Sequence, residues 1–116
     1  MSRDARNFLD DIVERGERIA GYIEGFDFDR FLLDTRTEDA IERNLQVIGD
    51  AVKAIPAEIQ ALAPEVPWSL LARFRDVVTH AYFRLDPAEL WNVASIEIPE
   101  IVVAVRRLRK ALESDP

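Results

Sequence analysis

Cysteine is absent from the 116-residue chain, and histidine occurs once, at position 80. The first absence excludes a disulfide framework and thiol catalysis. The second excludes any site within one chain that needs two imidazoles, and with it the common zinc-hydrolase and carboxylate di-iron arrangements. Long apolar runs are also missing: the longest, Ile101 to Val105, has five residues, whereas a bilayer-spanning helix needs roughly 20. No basic segment followed by an apolar stretch opens the sequence, so an export signal is not expected and a soluble cytoplasmic protein is. At this length one domain over residues 1–116 is expected, burying about 65% of the surface of the unfolded chain without covalent staples.

Positive charge is the other shortage. Lys and Arg number 15 against 22 Asp and Glu, for a formal charge of −7. The deficit is uneven, because residues 1–66 hold 8 basic and 15 acidic side chains while residues 67–116 hold 7 of each. The acidic balance argues against a general nucleic-acid binder with a basic stripe over most of one face. It leaves room for a small anion site in the neutral second part, because partners respond to local fields rather than to totals.

What is present in abundance is helical periodicity. Apolar residues recur at intervals of three and four along most of the chain, with no sustained alternation of the kind that marks strands. A first helix is expected from about Arg3 to Glu24, with Ala5, Phe8, Ile12, Ile19, Ile23 and Phe26 along its stripe. The segment from Phe26 to Leu33 reads as a short helical turn that packs Phe28 and Phe31 inward. Thr35 followed by Glu38 fits a capping box, and Ile41, Leu45, Ile48, Val52 and Ile55 then mark the buried face of a second long helix.

Pro56 closes that helix and can open a short one ending before Pro64. Pro67 opens the next, whose stripe is Leu70, Leu71, Phe74, Val77, Val78 and Ala81. Asp86-Pro87-Ala88-Glu89 supplies a cap, a first-turn proline and a first-turn acid. Pro99 is expected to start the last helix, with Ile101, Val105, Leu108 and Leu112 buried. The expected fold is therefore all-α, an up-and-down bundle of four to six helices with short connections.

Chemistry concentrates on the run Arg73 to Tyr82. An α-helix turns about 100° per residue, so Asp76 and His80 share a face and Arg73 lies one turn further back. A carboxylate in reach of the imidazole would orient it and favour its charged form. Arg75 precedes His80 by five residues, about 140° away around an ideal helix. It reaches the same phosphate only through its long side chain, a distorted helix or a second subunit. Together the two groups suit RNA cleavage without a metal or cofactor. A neutral imidazole takes the proton of a ribose 2′-hydroxyl, and a guanidinium stabilises charge developing on the phosphate.

Outside this run, Arg106, Arg107, Arg109 and Lys110 complement the carboxyl end of the last helix and read as a solvated face. Trp68 and Trp91 read as core or dimer-interface anchors. Arg43 and Asp50, seven residues apart, read as an ion pair on one face of the second long helix.

The ordered set Arg43-Asn44-Leu45, Ile48-Gly49-Asp50-Ala51, Pro67-Trp68, Arg75-Asp76 with His80 and Tyr82, Asp86 with Leu90-Trp91, and Ile98-Pro99-Glu100-Ile101 resembles the HepT-like family of the HEPN superfamily. The resemblance extends from the first helix to about Leu112 and is most specific in the R-x4-H-x-Y run. It implies a HEPN-like bundle and a metal-independent endoribonuclease toxin of a type VII toxin–antitoxin pair. Arg75 and His80 would be catalytic, with Asp76 and Arg73 orienting the histidine or contacting substrate. It also implies a homodimer whose two motifs meet in one cleft, with RNA as substrate. The implied protein partner is a minimal nucleotidyltransferase antitoxin that silences the toxin by attaching AMP to Tyr82. Two residues depart from the family pattern: Asp76 stands where asparagine commonly follows the motif arginine, and Asp50 where the second-helix motif usually has glutamate. The alternative of a different class is a non-catalytic helical module that binds a nucleotide or docks a nucleotidyltransferase.

Overall fold

The computed structural model describes residues 4–79 and 86–114. Seven α-helices and one π-helical turn follow in order among these residues. They are α1 (Ala5–Tyr22), α2 (Phe28–Leu32), α3 (Thr35–Ala54), α4 (Ala57–Gln60), α5 (Trp68–Thr79), α6 (Pro87–Asn92), the π turn Val93–Glu97 and α7 (Ile98–Ser114). The all-α expectation holds among these residues. No helix among the described residues is long and apolar enough to cross a membrane.

Much of the excess acidity has a local use. Asp4, Asp27, Asp34 and Asp86 each stand at a helix N-cap, and each side chain accepts a backbone N–H from the first turn. Such caps satisfy donors that the helix itself leaves unpaired, and a carboxylate there also meets the positive end of the helix dipole. These bonds hold the Asp4 carboxyl down to about 2, with the Arg6 guanidinium as the largest cause. They also lower Asp34, through the Thr37 N–H. The cap of α3 is thus Asp34, whose Oδ1 accepts from Thr37 N at 3.0 Å, and not Thr35, which already lies inside the helix. Gly25, at φ +79°, turns the chain between α1 and α2, a backbone region where glycine carries no steric cost.

Helix α1 packs on α3 and on α7, and α3 packs on α5, so α1 and α3 form the middle of the bundle. Their buried faces are Leu9, Ile12, Gly16 and Ile19 on α1, and Ile41, Asn44, Leu45, Ile48, Gly49, Ala51 and Val52 on α3. The α1 stripe is centred on Leu9 where Phe8 was expected, and Phe8 packs half-buried beside it. From α5 come Leu71 and Phe74, and from α7 come Ile98, Ile101, Val105 and Leu108. Phe31 of α2 is fully buried with its ring centroid 5.2 Å from that of Trp91. Phe28 also packs on Trp91, with ring centroids 6.4 Å apart. Trp68 closes the opposite end, its indole N–H shared between the carbonyls of Gln60 and Ala63 at 3.0 Å each. Both tryptophans therefore serve the core of one chain.

Pro99 lies in the first turn of α7, as expected, but no stop separates that helix from α6. Asn92 and Ile98, which flank the π turn, are both helical, so the chain runs from α6 into α7 without a stop. Proline cannot donate a backbone N–H, and its ring crowds the carbonyl four residues back. Here that carbonyl belongs to Ser95, inside the π turn, where the wider winding makes room. The Ser95 hydroxyl donates to the Trp91 carbonyl at 2.6 Å, which supplies a further bond in this widened stretch.

The basic cluster of α7 is only partly solvated. Arg106 donates to Glu17, and Arg109 Nε donates to Asp10 Oδ1 at 3.0 Å. These two residues tie α7 to the acidic face of α1, and Arg109 is half-buried in doing so.

Candidate active site

Helices α3 and α5 meet in close contact at Gly49. A Cβ placed on Gly49 would lie 2.4 Å from the Cβ of Arg75, 2.9 Å from the carbonyl oxygen of Leu71 and 3.1 Å from the backbone nitrogen of Arg75. The missing side chain therefore lets the backbone of α5 rest directly on α3 at the position of Arg75. Ile48 and Val52 face the core on one side of this crossing, and Leu71 and Phe74 on the other. Asp50 and Arg75, next in sequence to buried residues, are thereby turned outward onto one rim.

On that rim the charges alternate. Arg75 Nε donates to Asp50 Oδ1 at 2.8 Å, and Arg75 Nη1 lies 3.4 Å from Asp76 Oδ1. Lys53 Nζ donates to the same Asp76 oxygen at 2.6 Å. Donating hydrogen bonds to Asp50 and then to Asp76 raises Arg75 above its ordinary value, so its charge is permanent. Asp76 is lowered, first by the Lys53 ammonium. All four side chains remain between about two-fifths and one-half exposed, so an incoming anion can reach the cations.

Sequence expectations fare unevenly here. Arg75 and Asp76, neighbours in sequence, meet on the rim, a contact the sequence reading does not include. Asp50 joins them across the helix crossing, which corrects its expected pairing with Arg43. Arg43 instead donates to Gln46 Oε1 at 3.1 Å. Arg73 extends toward α6, its Nη2 3.8 Å from Glu89 Oε1, as befits a residue about 200° around the helix from Arg75. His80 and Tyr82, and with them the expected pairing of Asp76 with His80, lie outside the described residues. Lys53 was not anticipated, although its place three residues after Asp50 puts it on the same helical face.

An all-α bundle thus presents, at a glycine crossing, an arginine held outward by two carboxylates. Comparison with known proteins gives this arrangement a family. The sequence profile described as Ribonuclease HepT-like matches residues 12–108. The chain is 39% identical over 110 residues to "Probable ribonuclease HepT" of Thermococcus cleftensis, covering 95% of this chain and all of that one. It is 34% identical over 113 residues to a Methanocaldococcus jannaschii protein provisionally named RNase MJ0127, covering 97% of this chain and 93% of that one. A protein of Caldanaerobacter subterraneus provisionally named RNase TTE0752 is 32% identical over 103 residues, covering 89% of this chain and 92% of that one. No solved structure matches. The chain belongs to the HepT-like ribonuclease family.

Proposed function

We propose that this protein is an endoribonuclease that cleaves RNA without a metal, with Arg75 and His80 as the catalytic pair. The observation that carries the reading is the outward-held guanidinium of Arg75 at the α3–α5 crossing, in a chain of a ribonuclease family. The chemistry follows from the two groups. The His80 imidazole accepts the proton of a ribose 2′-hydroxyl as that oxygen attacks the adjacent phosphorus. The P–O5′ bond breaks and the 5′-oxygen takes up a proton, leaving a 2′,3′-cyclic phosphate and a 5′-hydroxyl. Arg75 stabilises the negative charge that grows on the phosphate oxygens. Because the nucleophile belongs to the substrate, proximity is already supplied.

The family's remaining features complete the reading. One HEPN domain spans residues 1–116 and acts in the cytoplasm as a homodimer, with two motifs in a shared cleft. It is the toxin of a type VII pair, restrained by a nucleotidyltransferase that adds AMP to Tyr82. Asp76 and Arg73 orient His80 or contact RNA. A second reading, a non-catalytic module docking such a nucleotidyltransferase, draws on the two carboxylates that neutralise Arg75.

The test is product analysis. RNA incubated with the purified protein in EDTA is expected to yield fragments ending in 2′,3′-cyclic phosphate, and an all-2′-deoxy oligonucleotide is expected to remain intact. Cleavage that requires a divalent cation, or that leaves 5′-phosphates, would overturn the mechanism. Complete absence of cleavage together with tight binding to a nucleotidyltransferase would favour the second reading.

A further inference from the structure

Among the described residues, Lys53 is a cation on the rim of the candidate site to which neither the family motif nor the proposed chemistry gives a role. Its ammonium and the Arg75 guanidinium converge on one oxygen, Asp76 Oδ1, at 2.6 and 3.4 Å. They come from different helices, α3 and α5, whose relative position is fixed by the contact at Gly49. A carboxylate oxygen between an ammonium and a guanidinium is placed as a phosphate oxygen would be, since both anions accept charge-assisted hydrogen bonds of the same kind. Ion pairs this exposed contribute little to stability and exchange readily, so folding energy does not account for the arrangement. The four charges Asp50, Arg75, Asp76 and Lys53 also sum to zero, so the two acids do not leave a net repulsive field for RNA.

We infer that Lys53 is a second phosphate-binding residue of this site. It contacts the RNA backbone beside Arg75, and Asp76 holds both cations in place until a phosphate takes over their hydrogen bonds. The inference rests on the ribonuclease reading and adds a substrate contact to it. It also gives the acid after the motif arginine a function, as an internal stand-in for the substrate's charge.

The experiment measures binding of a single-stranded 2′-O-methyl RNA oligonucleotide, which cannot be cleaved, as a function of salt. Each phosphate contact on a single strand adds about 0.7 to the slope of log affinity against log salt. Lys53→Gln is expected to weaken binding about three- to tenfold at low salt and to lower that slope by about 0.7. Lys53→Arg is expected to restore both. The melting temperature of each variant, measured alongside, is expected to stay at the parent value. Unchanged affinity and slope in Lys53→Gln would overturn the inference, and with Arg75-dependent cleavage intact it would do so without touching the ribonuclease reading. A parent protein that neither binds the oligonucleotide nor cleaves RNA would overturn both.

Discussion

Replacing His80 with alanine is expected to slow RNA cleavage by about 10²- to 10⁴-fold, the range that a positioned general base contributes. Arg75→Ala is expected to cost about 10²- to 10³-fold, as for the loss of one group that stabilises developing phosphate charge. Neither loss should come from unfolding. Arg75 makes its ion pairs on an exposed rim, where such pairs add little stability, so Arg75→Ala is expected to melt near the parent temperature. In the proposed mechanism both groups act on one phosphate, so their effects should not be independent. The double variant is expected to fall close to the more damaged single variant, well short of the product of the two losses. Single-turnover cleavage rates, with protein in excess of RNA and at saturating concentration, measure these effects directly. A His80→Ala protein as fast as the parent would remove the general-base role.

The second large effect is at Gly49. Alanine in place of glycine inside a helix ordinarily stabilises by about 0.5–1 kcal/mol. At Gly49 the added methyl would sit 2.4 Å from the Arg75 Cβ and 2.9 Å from the Leu71 carbonyl oxygen. Both are on or next to backbone and cannot rotate aside, so α3 and α5 must separate. Overpacking of this kind costs about 1–3 kcal/mol, which outweighs the helix gain. Gly49→Ala is therefore expected to lower the melting temperature by several degrees, at about 4–8 °C per kcal/mol for a domain near this size. Gly49→Val should lower it further. Activity should fall along with stability, because the displaced backbone carries Arg75 away from Asp50. Gly21, on α1, has nothing within 4 Å of the position its Cβ would take, so Gly21→Ala is expected to stabilise by about 0.5–1 kcal/mol. Thermal melts of the two alanine variants should thus shift in opposite directions. A Gly49→Ala protein more stable than the parent would refute the close-contact account.

The contrast between these two glycines shows what periodicity can and cannot convey. The helical stripes were legible because burial repeats every three to four residues, and Ile41, Leu45, Ile48 and Val52 all face the core as their spacing requires. A glycine in a helix carries no such signature, since Gly21 and Gly49 differ only in what a neighbouring helix brings near. The pairing of Asp50 was misjudged for the same reason. Spacing within α3 offered Arg43, whereas the packing of α5 on α3 delivers Arg75. Lys53 escaped notice because its partner, Asp76, is 23 residues away on another helix.

Local signals were mistaken by smaller steps. Asp34 and Thr35 are both good cap residues, and the carboxylate one position earlier takes the role. Pro99 marks a helix start because proline is favoured in the first turn, and α7 does begin at Ile98, one residue earlier, although a π turn joins it to α6 without a stop. The structure describes Arg75 and Asp76 on the rim, while His80 and Tyr82, and with them every pairing expected of the motif, lie outside the described residues.

The central claim is that the Arg75 guanidinium performs electrostatic catalysis in a metal-free reaction, and chemical rescue tests it most directly. Arg75→Ala, assayed in EDTA, is expected to be slow and to regain cleavage as guanidinium ion is added at concentrations below those that unfold the protein. The regained products are expected to carry 2′,3′-cyclic phosphate ends, and Arg75→Ala/His80→Ala is expected to gain nothing. An Arg75→Ala protein that cleaves in EDTA at the parent rate would contradict the claim.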